Sequence, residues 1–159
     1  MSLISMDVAK SHLRVVGSDE DADIELKLQA AEQAASAYLN RNLYVDQAAL
    51  NAALESAPGA FAAACEAHRT AIDAANALSD DAQRGMALLG AHERFDAANL
   101  ASILIYRGMV ANSAIKAAIL LTLGHLYENR EDAVVGLVIT ELPAGARSLL
   151  RPYRIGVGL

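Results

Sequence analysis

The sequence has no tryptophan, one cysteine, three prolines and an aromatic content of only 4%. A single thiol, Cys65, cannot build a disulfide framework or a cysteine-based zinc site, and it fits a reducing, cytosolic folding compartment. Few aromatics and abundant alanine disfavour a sheet, which draws on β-branched and aromatic side chains, and favour closely packed helices. Basic residues are in the minority, 13 Lys and Arg against 19 Asp and Glu, giving a net charge of −6. That is the wrong sign for a non-specific nucleic-acid binder. No apolar run reaches the ~18 residues of a membrane span; the most apolar, residues 117–123, is bounded by Lys116, His125 and Glu128. The opening Met1-Ser2-Leu3-Ile4-Ser5 lacks the basic stretch and cleavage site of a signal peptide. With 54% hydrophobic and 20% charged residues over 159 positions, the chain reads as one packed domain.

What the sequence does contain is helix. Ser5 can cap a short helix over 6–15 that Gly17 ends. Ser18, with Asp19, Glu20 and Asp21 behind it, marks a second start, since acids favour the positive end of a helix dipole. That second helix runs to about Leu39. Ile24, Leu28, Ala31, Ala35 and Tyr38 line one stripe, with Glu25, Lys27, Glu32 and Gln33 off it.

Residues 46–106 are richer in alanine, and Pro58-Gly59 interrupts their pattern. Phe61, Cys65, His68, Ile72 and Ala75 make one stripe. After Ser79-Asp80-Asp81, Leu88, Ala91, Phe95, Ala98 and Ser102 make another, with Gln83 three residues past Asp80 as in a capping box. The expectation is an inserted antiparallel helical hairpin, with arms roughly 30 Å long and small residues letting the backbones approach closely. Residues 108–112 read as a loop with a short extended piece at Met109-Val110. Asn112 or Ser113 then caps a helix over 114–130, apolar almost all round and so expected to be buried on several sides. Residues 134–139 are β-branched and read as a strand or arm. Pro143 starts a last short helix that Pro152 stops. The fold class expected is all-α, a small helical bundle with the inserted hairpin and a C-terminal arm.

No catalytic or metal-ligating set emerges, and no cofactor is expected. His12, His68, His92 and His125 fall on four separate helices without HExxH or a clustered pair. His68 reads as a satisfied interior histidine, and Cys65, on the same stripe, as a buried small hydrophobe. Residues 19–23 lack the spacing and closing Glu of a calcium loop. The first two helices have lengths suited to a helix-turn-helix, but Asp21, Asp23, Glu25 and Glu32 would be repelled by DNA phosphates. Charge is also uneven, at −3 over residues 1–45, −5 over 46–106 and +2 over 107–159.

Three segments carry a resemblance. Met6-Asp7-Val8-Ala9-Lys10-Ser11-His12-Leu13-Arg14-Val15, followed by Asp19-Glu20-Asp21-Ala22-Asp23-Ile24, resembles the N-terminus of the tailed-phage head–tail connector (adaptor, or head-completion) family. Ile115-Lys116-Ala117-Ala118-Ile119-Leu120-Leu121 through His125-Leu126-Tyr127-Glu128-Asn129-Arg130-Glu131 resembles its most distinctive stretch. Glu141-Leu142-Pro143 through Leu149-Leu150-Arg151-Pro152-Tyr153-Arg154 resembles its C-terminal signature. Residues 46–106 are the departure, a hairpin that short members lack and longer members resemble.

The resemblance implies a structural virion protein rather than an enzyme. It would be made in the host bacterial cytoplasm and placed at the head–tail junction. It would form a ring of like subunits, typically twelve, beneath the portal protein, with double-stranded DNA passing through without sequence recognition and a tail or head-closure protein docking below. On that basis His125, Tyr127, Asn129, Arg130 and Glu131 are expected at the contact between ring subunits. Arg147, Leu150, Arg151, Tyr153 and Arg154, in the 140–159 docking segment, are expected to meet the portal, with the hairpin projecting outward or towards the tail. The other reading open at this point is a non-viral helical scaffold or regulatory protein whose hairpin docks a partner.

Overall fold

Ile24, Leu28, Ala31, Ala35 and Leu39 recur every three or four residues, and all five are buried along one side of a 19-residue helix. This helix belongs to a computed structural model that describes residues 2–129 and 142–156. In chain order the elements are α1 (Met6–Leu13), α2 (Asp21–Leu39), β1 (Leu43–Tyr44), α3 (Gln47–Asn76), α4 (Asp81–Tyr106), β2 (Met109–Val110), α5 (Ser113–Glu128) and α6 (Ala144–Leu150), with a 3-10 turn at Arg151–Tyr153. The protein is all-α as expected, with a single two-residue parallel ladder among the described residues. The expected strand or arm at 134–139 lies outside them.

The chain divides into two compact units. One comprises Met1–Gln47 with Met109–Leu159, the other Ala48–Gly108. In the first, α5 packs against α2, α6 and α1, which is why its sequence is apolar on nearly every side. Ile24, Leu39, Ile115, Ile119, Leu123 and Leu150 are its largest fully buried side chains. Burying each contributes about 1.5–3 kcal/mol before entropy is counted. Leu43 pairs with Met109 and Tyr44 with Val110, so the points where the chain leaves and rejoins this unit lie side by side. Arg41 donates to Met109 Sδ at 3.0 Å across the same junction.

Helix ends are where local signals and structure part. Asn112 caps α5 by accepting from Ile115 N–H at 3.0 Å, and Asp80 caps α4 by accepting from Gln83 N–H at 2.7 Å, both as expected. The first helix stops at Leu13 rather than Val15. Arg14 turns left-handed with φ 58°, and the N–H groups of Arg14 and Val15 return to the carbonyls of Ser11 and Lys10. Ser18 does not cap α2. That helix starts at Asp21 behind Glu20, and the Ser18 carbonyl accepts from Asp21 N–H instead. Lys10 Nζ, 2.6 Å from Asp21 Oδ1, joins α1 to this start.

In the second unit, α3 runs unbroken through Pro58, where the sequence pattern suggests an interruption. Proline removes one intrahelical hydrogen bond and crowds the preceding turn, at about 3 kcal/mol; an alanine-rich helix of 30 residues carries that defect. The arms are consequently about 45 and 39 Å long rather than 30 Å. Close backbone approaches between them are scarce. Rings fill the seam instead: Phe61 lies 6.0 Å from Phe95, centroid to centroid. Cys65 is exposed, not buried. The inward stripe of α3 is Ala57, Phe61, Ala64, His68 and Ala75, and Cys65 stands one residue beyond its edge.

Candidate functional site: the clefts beside helix 2

The described residues expected at a ring contact and those expected at the portal all lie within the first unit. The last turn of α5 and the start and end of the C-terminal segment surround an open cleft of roughly 680 Å³. Its walls are Ala30, Ala34, Tyr38, Thr122, His125, Leu126, Leu142 and Pro143, and its cationic groups are Arg147 and Arg154. Among the described residues no carboxylate lines it. The Arg154 guanidinium stands 4.8 Å over the Tyr38 ring, a cation–π arrangement that holds an otherwise exposed side chain. An apolar floor with a cationic rim, on a chain of net charge −6, suits an aliphatic surface that carries acids.

A second recess of about 550 Å³ follows the other half of α2. Asp19, Glu20, Asp23, Leu26, Lys27 and Asn129 line it, together with Ala30 and Leu126, which also border the first cleft. Its character is the opposite, with carboxylates at the start of α2. Tyr127 contacts two of these residues. Its hydroxyl donates to the Glu20 carboxylate, and Lys27 Nζ sits 5.4 Å from the centre of its ring while also pairing with Asp23 at 2.7 Å. Leu26 is 67% exposed at the edge of this recess.

The expected residues therefore fall into distinct groups. His125 lines the cationic cleft. Tyr127 ties α5 to the start of α2, and Asn129 ends α5 by donating to the His125 carbonyl at 2.8 Å. Arg130 and Glu131 lie outside the described residues. Arg147 and Arg154 border the cationic cleft, and Arg151 is exposed. Leu150 is fully buried in the core, which puts its side chain out of reach of a partner. Tyr153 packs against that same core. The C-terminal segment is held by its own chain as far as Ile155, whose N–H donates to the Leu39 carbonyl at 3.0 Å and whose carbonyl accepts from Asn40 Nδ2 at 3.3 Å.

Sequence reasoning missed Ala30, Ala34 and Tyr38 as cleft residues. Tyr38 was legible as a stripe residue, but its role on the rim depends on α6 packing alongside. It also missed Glu32, which lies off the α2 stripe. Its Oε1 accepts from Ser2 Oγ at 2.7 Å, Leu3 N–H at 2.8 Å and Ile4 N–H at 3.3 Å, fastening buried Leu3 and Ile4 to the core.

Fold and site together define a helical protein whose conspicuous polar residues secure helix ends and line open surface clefts. Residues 3–86, just over half of the chain, match the family model described as phage gp6-like head-tail connector protein, and the chain belongs to that family. It is thus a structural protein of phage head–tail connection. The matched stretch spans α1, α2, β1, α3 and the first six residues of α4. No curated protein and no solved structure matches the chain. Among the described residues no helix is long and apolar enough to cross a membrane.

Proposed function

We propose that copies of this chain close into a ring, twelve-fold in the particle, at the head–tail junction beneath the portal protein. The ring extends the DNA channel, passes double-stranded DNA without reading its sequence, and offers a surface to a tail or head-closure protein. It works by assembly alone, without catalysis or a cofactor. The observation that carries this reading is the family match over residues 3–86.

A cyclic ring needs two different surfaces that complement each other. The acidic recess of Asp19, Glu20 and Asp23 offers one such surface on this chain. His125, Tyr127, Asn129, Arg130 and Glu131 serve the subunit contact. Arg147, Arg151, Tyr153 and Arg154 serve the portal. An acidic protein lining the channel repels passing DNA and so does not retain it. The test mixes the purified chain with purified portal rings and reads mass by light scattering and symmetry by electron microscopy. The expected result is a portal-bound ring that Arg147→Glu with Arg154→Glu abolishes. Absence of any portal-bound species overturns the reading.

A further inference from the structure

The outer side of α2 carries a second stripe, turned away from the buried one. Asp23, Leu26, Ala30, Ala34 and Ala37 recur at spacings of 3, 4, 4 and 3, and Asp19 precedes them by four residues. Leu26 is 67% exposed, Ala30 and Ala37 are exposed, and Ala34 is half-buried. The two clefts described above lie along this stripe and share Ala30 and Leu126. They form one continuous groove beside α2, bordered by the last turns of α5. From Asp23 to Tyr38 the groove runs about 23 Å at 1.5 Å per residue.

Charge along this groove is ordered. Asp19, Glu20 and Asp23 line one end. Arg147 and Arg154 line the other, where the Arg154 guanidinium stands over Tyr38. Leu26, Ala30, Ala34 and Leu126 lie between, with Lys27 held by Asp23 at 2.7 Å. A surface acidic at one end, basic at the other and apolar in the middle complements itself when turned end for end. A two-fold axis beside Ala30 sets Leu26 level with Ala34 of the second copy. It also sets Asp23 level with Ala37 of that copy, one residue from the Tyr38 that carries Arg154, with Asp19 a turn further on. Each exposed leucine thus meets an alanine, and small residues on both sides let the helix axes approach to about 8 Å.

We infer that the free chain pairs with a second copy through this groove, α2 against antiparallel α2, as a two-fold dimer. Such a contact uses the same patch on both copies, closes on itself and does not propagate. The pairing concerns the chain by itself and does not rest on the ring reading. Where both hold, it covers the acidic recess and the cleft of Arg147 and Arg154 together. A copy must then leave its twin before it joins a ring or meets the portal.

The test is sedimentation equilibrium of the full chain alone over a wide range of concentration. Expected is a reversible equilibrium between one chain and two, with no larger species. Ala30→Glu sets two carboxylates against each other on the axis and should abolish the dimer. Its helical signal by circular dichroism should match the parent's, because Ala30 is exposed and glutamate is a good helix former. Asp19→Arg and Arg154→Asp should each weaken pairing about tenfold, since a two-fold dimer contains every contact twice. The variant carrying both changes should regain most of that loss, because opposite charges again face each other. Met86→Glu, on the exposed face of α4, should pair like the parent. The inference is overturned by a parent that stays monomeric or forms only larger species, or by an Ala30→Glu chain that pairs as tightly as the parent. A double variant no better than either single one, or a dimer lost on changing Met86, overturns it equally.

Discussion

The two units of this chain use the same helix-forming alphabet and reach different kinds of stability. Residues of Met1–Gln47 and Met109–Leu159 enclose large aliphatic side chains on all sides, so Ile24, Ile115, Ile119 and Leu123 reach zero exposure. Residues of Ala48–Gly108 form two helices, and the described residues fully buried there are Ala57, Ala75 and Ala91. Two helices have one seam and cannot wrap a third layer around it. Met86, Leu89 and Leu100 consequently stay at least half exposed. A three-dimensional core rewards volume, whereas a hairpin rewards helix propensity, capping and a few ring contacts.

Breaking the core should have the largest effect. Ile119→Ala leaves a cavity where α5 meets its neighbours and should cost about 2–5 kcal/mol, read from urea unfolding of the helical signal. Met86→Ala, on the exposed face of α4, should fall within about 0.5 kcal/mol, and a comparable loss there would erase the contrast. Next comes Glu32→Ala, which strands the Leu3 N–H, leaves the Ile4 N–H only its long contact with Ser2 Oγ at 3.4 Å, and should cost about 1–3 kcal/mol. Amide exchange at Leu3 and Ile4 should quicken while α3 and α4 remain protected.

Caps test whether helix ends matter equally in both units. Asn112→Ala and Asp80→Ala each remove one side-chain acceptor from a helix start and should each cost about 1 kcal/mol, measured as separate melts of the first and second unit. Replacing residues 48–108 with a Gly-Ser linker sharpens the comparison further. Parallel strands β1 and β2 need a connection of about a dozen residues. With such a linker the first unit should keep a cooperative transition, shifted by about 1 kcal/mol or less, because closure entropy varies slowly with loop length. The smallest effect belongs to Cys65→Ser, within about 0.5 kcal/mol for an exposed position. Correspondingly, the Cys65 thiol should react with a maleimide in the native protein as readily as in urea.

The difference between what was legible and what was not follows physical range. The end of α2 at Leu39, the cap at Asp80, the extended piece at Met109-Val110 and the burial of α5 were readable because each rests on a few adjacent residues. The face assigned to Cys65 was off by one position. A helical stripe read at 3.6 residues per turn leaves its edge residues ambiguous, and exposure is settled by where the partner helix lies. Leu150 and Arg151 were read together as docking residues, yet adjacent positions on a helix end point about 100° apart. Here one fills the core and the other meets water.

The sequence by itself determined the all-α class, the hairpin with its capped turn, the amphipathic faces, and the connector family through residues 3–86. The first three are properties of periodicity, propensity and local hydrogen bonding, which act over four residues or fewer; the family rests on likeness to known sequences. Only the tertiary structure decided that His68 meets His92, that His125 shares a cleft with Arg147 and Arg154, and that Glu32 holds the N-terminus. Each of those depends on the register and packing of elements distant in sequence. The side chains that fix that register also contact one another, so their placement is decided by the whole packed set.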